Sequence, residues 1–126
     1  MKSFKLLSAM CFLPFLVIAS DDVCDQQASK KAFSKCAACH SVNEGGPTLL
    51  GPNLFDVVGR KSASVKGFPY SPALNEYNKI WTEQELHTFL EKPMKVVPGT
   101  MMAFGGLRKV SDRNAVICFL KKNSNK

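Results

Sequence analysis

The 126-residue sequence has one tryptophan, two tyrosines and two histidines, and its 17 basic residues outnumber its 10 acidic ones. No stretch alternates apolar and polar residues with a period of two. That excludes a sheet-based fold and, with it, the strand-and-helix setting that tunes a redox dithiol of the thioredoxin type. No internal repeat, low-complexity tract or second domain is present. No apolar run reaches the roughly 20 residues of a membrane-spanning helix. The nearest, LLSAMCFLPFLVIA at residues 6–19, has 14 and contains Pro14.

That run follows a basic head, Lys2 and Lys5, and is closed by Ser20, Asp21 and Asp22. The pattern is that of a secretory signal peptide over residues 1–19, cleaved after Ala19 or after Ser20. An uncleaved anchor is the rival reading, and the length and Pro14 count against it. Cleavage after Ala19 leaves one domain, residues 20–126, and lowers the net charge from +7 to +5. A basic exported protein points to an acidic protein partner or a membrane surface, not to nucleic acid. A chain this small buries only part of its surface, so a large apolar group would add materially to its core.

The helices are marked by their ends. DQQASKKAFSKC, residues 25–36, has no glycine or proline, and Ala28, Ala32 and Phe33 give it an apolar face. Ser71 and Pro72 suit the N-cap and first position of a short helix in SPALNEY. In WTEQELHTFLEKP, Thr82 and Glu85 form a capping box, Leu86, Phe89 and Leu90 share a face, and Pro93 stops the helix. The last helix is expected from about Asp112 to Lys122, with Val116, Phe119 and Leu120 inward and Lys121 and Lys122 at the negative end of its dipole. Between Ser41 and Lys66 the chain reads as loop, broken by Gly45, Gly46, Pro47, Gly51, Pro52 and Gly59. The fold class is all-α, with short helices and long loops. Loops of that length in a small domain call for a function or a partner in the core.

CAACH, residues 36–40, sets two thiols two residues apart and an imidazole directly after the second. A closed zinc site would need a fourth ligand from a second paired cluster, which the chain does not offer. The motif is also a signal for c-type haem attachment, and its spacing suits that chemistry. Two thiols so placed can form thioethers with the two vinyl groups of a haem edge, and His40 then falls beside the iron. One protein ligand leaves iron open to gas or peroxide, whereas a second closes it. His87, Met94, Met101 and Met102 are the candidates for that second ligand. Spacing alone does not choose among them, because a helical histidine is often a surface residue and methionine is a flexible core filler.

CAACH, GPNLFDVVGR, GFPYS, WTEQEL and PGTMMAFGGLRK occur in this order. In motif and separation the chain resembles class I cytochrome c over about residues 27–122, close to the small bacterial periplasmic forms and to mitochondrial cytochrome c. The resemblance implies an all-α fold wrapped around one covalently bound haem c and a periplasmic location. By position it implies thioethers at Cys36 and Cys39, His40 as proximal ligand and Met102 as the opposite ligand. Pro52 matches the proline whose carbonyl accepts the proximal histidine N–H, a contact that fixes the ring and raises its basicity. Arg60, Tyr70 and Trp81 match donors to a buried propionate, and Thr100 and Phe104 match positions beside the methionine and the exposed haem edge.

Some positions depart from the family pattern. Phe89 stands where a tyrosine is common and Leu74 where an asparagine is common, which implies a drier pocket and an altered potential. Lys30, Lys35, Lys95, Arg108 and Lys109 keep the family's basic ring, while Leu49, Met94 and Met101 replace lysines in it. Docking would then rest more on apolar contact and less on charge. The family packs its first and last helices together. Cys24 and Cys118 could therefore be bridged; equally, Cys118 could be a small buried residue beside the Val116 face. The function implied is one-electron transfer between redox proteins with acidic docking surfaces (an oxidase, reductase or dehydrogenase) by a monomeric carrier that is not an enzyme. The alternative is a haem enzyme or a gas or peroxide sensor with a displaceable sixth ligand.

Overall fold

A carboxylate starts the first helix. Asp25 accepts the Gln27 and Ala28 amides at 2.9 and 3.1 Å and so satisfies two orphan donors at the head of α1, Gln26–Ala37. The computed structural model describes residues 24–125, and the signal peptide expected over residues 1–19 lies outside them. Helix α2, Pro72–Tyr77, is capped by Ser71, whose hydroxyl accepts the Leu74 amide at 3.2 Å, and it ends at Asn78 in the left-handed region.

Helix α3, Glu83–Glu91, forms half of the expected capping box. Thr82 accepts the Glu85 amide at 3.1 Å. The Glu85 carboxylate does not reach back. It takes the Tyr77 hydroxyl and pairs with Lys79 at 3.3 Å, while the Thr82 amide donates to the Ile80 carbonyl. A phenol and an ammonium brought up by α2 and its exit outcompete the local amide. Pro93 ends α3 as expected, and it also opens α4, Pro93–Val96, a single turn that was not anticipated. Proline is suited to both tasks, since it lacks the donor that an interior position needs and has the φ that a first position needs. Helix α5, Val110–Lys122, begins two residues before its expected start.

The core joins α1, α3 and α5. Phe33 of α1 stacks on Phe119 of α5 with centroids 4.4 Å apart, and Leu86, Phe89 and Leu90 of α3 are buried with Val116, Ile117 and Leu120 of α5. The apolar face read for α1 needs correction. Ala28 is exposed, and the buried neighbour of Phe33 is Ser29, one turn earlier, with its hydroxyl bonded to the Gln26 carbonyl at 3.1 Å. Cys24 and Cys118 are bridged, their α-carbons 6.0 Å apart, within the usual disulfide range.

Among the described residues there is no strand, only one antiparallel bridge between Lys61 and Ile80. It brings Arg60 and Trp81 side by side, with the Trp81 amide donating to the Arg60 carbonyl at 2.8 Å. No described helix is long and apolar enough to cross a membrane.

Candidate functional site

The Cys36 carbonyl near the end of α1 accepts both the Cys39 and the His40 amides, at 3.0 and 2.9 Å, so the motif folds back around a single acceptor. The Gly51 amide then donates to the Cys39 carbonyl at 2.8 Å, bringing the next loop under the motif. His40 Nδ1 lies 2.7 Å from the Pro52 carbonyl. A carbonyl can only accept, so Nδ1 carries the proton and the lone pair is left on Nε2. Burial pushes the His40 pKa down, against the smaller opposing effect of the Pro52 carbonyl. The imidazole is thus held neutral, the form that binds metal.

Gly51 was not anticipated as a site residue. A Cβ there would sit 2.7 Å from His40 Nδ1 and 2.8 Å from Nε2, so only glycine lets the backbone lie against the ring. Asn53 was missed as well. Its Nδ2 donates to Ser41 Oγ at 2.8 Å and to the Asn43 carbonyl at 2.9 Å, and its Oδ1 accepts the Phe55 amide at 2.6 Å. One amide thereby organises the loop that follows the motif. The position, after a Gly-Pro pair, was the available signal, since asparagine commonly bonds backbone in turns.

The motif opens into a cavity of about 490 Å³. Cys36, Cys39, His40, Pro52, Arg60, Tyr70, Trp81, Thr100, Met102 and Phe104 all line it, so the fold brings every site residue expected from sequence to one wall or another of the same space. Phe89 and Leu74 line it too, and both walls are apolar at those points. The four candidate second ligands separate. His87 accepts a hydrogen bond from Arg113 and faces a different groove, and Met94 is 63% exposed and does not line the cavity. Met101 lies at the rim, 67% exposed, whereas Met102 is half-buried and packed against the core.

The residues present fit a haem. Cys36 and Cys39 are free thiols, and burial, helped by Cys39 and opposed by Lys35, pushes the Cys36 thiol up. Arg60 donates to the Phe55 and Asn53 carbonyls at 2.6 and 2.9 Å, which leaves further guanidinium N–H groups for an anion. Burial lowers its pKa, and Tyr70 and Asp56 oppose that. Tyr70 accepts the Val65 amide at 3.2 Å and keeps its own hydroxyl proton to donate. The Trp81 indole also lines the cavity, and no hydrogen bond among the described residues uses its N–H. An apolar cavity with free thiols, a neutral imidazole and spare donors along one side suits an apolar macrocycle with carboxylate arms.

These features define a helical protein built around a covalently held haem. The cytochrome c family model matches residues 26–124, and the chain belongs to that family. It is 45% identical to cytochrome c of Kluyveromyces lactis over 71% of this chain and 81% of the relative, and 43% identical to that of Gibberella zeae over 72% and 86%. It is 47% identical to a cytochrome c homolog of Rickettsia felis over 73% of this chain, and that match spans about half (53%) of the homolog. The cofactor is haem c, attached through the motif that holds Cys36 and Cys39, and the function is that of an electron carrier and not of an enzyme.

Proposed function

We propose that His40 and Met102 are the residues that would hold the haem iron, and that the carrier would therefore work with a closed metal. The observation that carries this is the commitment of His40 Nδ1 to Pro52, which leaves Nε2 as the available nitrogen in a cavity that Met102 also lines. When bound, the haem supplies the one-electron couple. A soft thioether ligand beside an imidazole ligand would favour the reduced state and raise the potential, and ligands that stay in place would keep rearrangement small. Arg60, Tyr70 and Trp81 offset the cost of a buried propionate, and Thr100 holds the Met102 amide at 3.2 Å. Pro52 fixes the His40 ring, and Phe104 screens the methionine side.

Docking uses the cavity rim. Leu50, 83% exposed, and Met101 present apolar surface there, and Lys35 lines the same cavity. A redox partner with an acidic border around an apolar centre complements this edge, with the charges steering encounter. An exchange rate that ignores both ionic strength and Leu50→Ser would remove this assignment. We also place the mature domain in the periplasm, with residues 1–19 removed as a signal peptide. The Cys24–Cys118 bridge supports that reading, because disulfides persist in oxidising compartments.

The far-red absorption of the ferric holoprotein tests the ligand set. A thioether-to-iron band that vanishes in Met102→Ala and survives in Met101→Ala is expected. Absence of the band from the wild-type protein, or carbon monoxide binding to the reduced protein as readily as to an open haem, would overturn the closed-iron reading.

A further inference from the structure

Arg113 is the charged side chain buried in the described core, 7% exposed, on the first turns of α5. A buried guanidinium is costly unless its donors are used. Here the acceptors all come from two places. Nη1 donates to the Leu107 carbonyl at 2.6 Å and to the Arg108 carbonyl at 2.9 Å, and Nε donates to His87 Nδ1 on α3 at 3.3 Å. Nη2 lies 3.9 Å from the Glu91 carboxylate, also on α3.

Leu107 is the point at which the segment carrying Met102 rejoins the core. Its amide donates to the Leu90 carbonyl of α3 at 2.7 Å, and its side chain is buried. Just before it, Gly106 has a φ of +92° and lies so close to the end of α3 that a Cβ would be 2.7 Å from the Glu91 carbonyl carbon. Between Met102 and this point the chain has no helix, and the backbone bond recorded within it is Phe104 N–H to the Met102 carbonyl at 2.8 Å. The far end of the segment is held by the Thr100 amide on the Val97 carbonyl at 3.0 Å.

We infer that Arg113, with His87 as its acceptor, is a positioning residue for Met102: it clamps the C-terminal end of the methionine segment to α3 and α5, and so keeps the sixth ligand seated. Three elements meet at one guanidinium, and the carbonyls it holds are those through which slack would enter the segment. His87 completes the clamp by offering a lone pair at Nδ1, so its proton is on Nε2. The clamp rests on the reading of Met102 as ligand, and its experiment separates the two.

The experiment uses the holoprotein with Arg113→Met, Arg113→Lys and His87→Leu. Three quantities are read: the far-red band, carbon monoxide affinity of the reduced form, and hydrogen exchange at the Leu107 amide. Arg113→Met is expected to weaken the band and to raise both carbon monoxide affinity and Leu107 exchange about tenfold, the scale of one lost charge-assisted hydrogen bond. Arg113→Lys, which keeps the charge but not the fork, gives a smaller change in the same direction, and so does His87→Leu. If Arg113→Met fails to assemble with haem, Arg113→Lys decides the question. The double variant Cys24→Ser/Cys118→Ser is the control: it lowers global stability through the same helix and leaves the band intact. A wild-type band together with wild-type carbon monoxide affinity in Arg113→Lys and His87→Leu would overturn the clamp. A wild-type protein without the band would overturn the ligand reading instead.

Discussion

The two walls of the cavity are held in different ways. On the His40 wall, α1 runs directly into the motif, the Cys36 carbonyl collects two amides, and Pro52 and Gly51 fix the ring from twelve and eleven residues away. On the Met102 wall no helix spans the methionine. The segment hangs between α4 and α5, tied by Thr100 at one end and by Leu107 and Arg113 at the other. The motif that carries His40 continues directly from a helix end, whereas Met102 lies in a helix-free segment tied at its two ends. A wall of the second kind is easier to open, since few bonds need to break. The comparison teaches that two sides of one cavity can differ in rigidity, the methionine side depending on the ties at the ends of a helix-free segment.

Removing the disulfide should have the largest effect. The bridge closes a span of 94 residues between the start of α1 and the middle of α5. Chain entropy gives it at most about 4–5 kcal/mol, less in the holoprotein because covalent haem also constrains the chain. Denaturant unfolding of Cys24→Ser/Cys118→Ser should show that loss as a lower midpoint, with the spectrum of the iron unchanged. A changed spectrum would mean that the two walls are not independent.

Gly51→Ala comes next. The added methyl meets the His40 ring, and overpacking of that kind costs about 1–3 kcal/mol. It should show as reduced stability and an altered His40 ring environment by NMR, while Thr100 and Met102 signals stay in place. Equal disturbance on both walls would erase the distinction drawn here.

The smallest effect is expected away from both walls. The Tyr77 hydroxyl holds the Glu85 pKa below its ordinary value of 4.5, with Lys79 helping and burial opposing. A carboxylate whose pKa is depressed on folding adds stability above its unfolded pKa, and that stability is lost as pH falls through the folded value. In Tyr77→Phe the decline of stability below about pH 4.5 should therefore flatten, with the cavity spectrum untouched. An unchanged acid limb would show that the hydrogen bond contributes nothing in solution.

What could be read from the sequence follows the same division. Helix starts were visible where a hydroxyl caps them, at Ser71 and Thr82, whereas the Asp25 cap of α1 emerged only from the structure. Helix α4 was not visible, because Pro93 signals both a stop and a start. On the His40 wall Cys36, Cys39 and His40 were legible because they form a motif with its own spacing, whereas Gly51 and Asn53 were not. Arg113 was not: an arginine at the head of an exposed helix and an arginine clamping a loop have the same local sequence. Met101 and Met102 could not be separated by periodicity either. Exposure separated them, and exposure depends on where the segment lies against the core.

The sequence by itself determined an all-α chain, a covalent haem motif and the identity of the family. Each of those is written in local pattern: capping residues, helical spacing, and thiols and imidazole within five residues. Only the tertiary structure decided that Cys24 and Cys118 are bridged, that Glu85 serves Tyr77 instead of its own helix, that Gly51 lies against the His40 ring and that Arg113 holds the far end of the methionine segment. These contacts join residues brought together only by packing, and their energies come from burial and from donors removed from water, which no local pattern encodes.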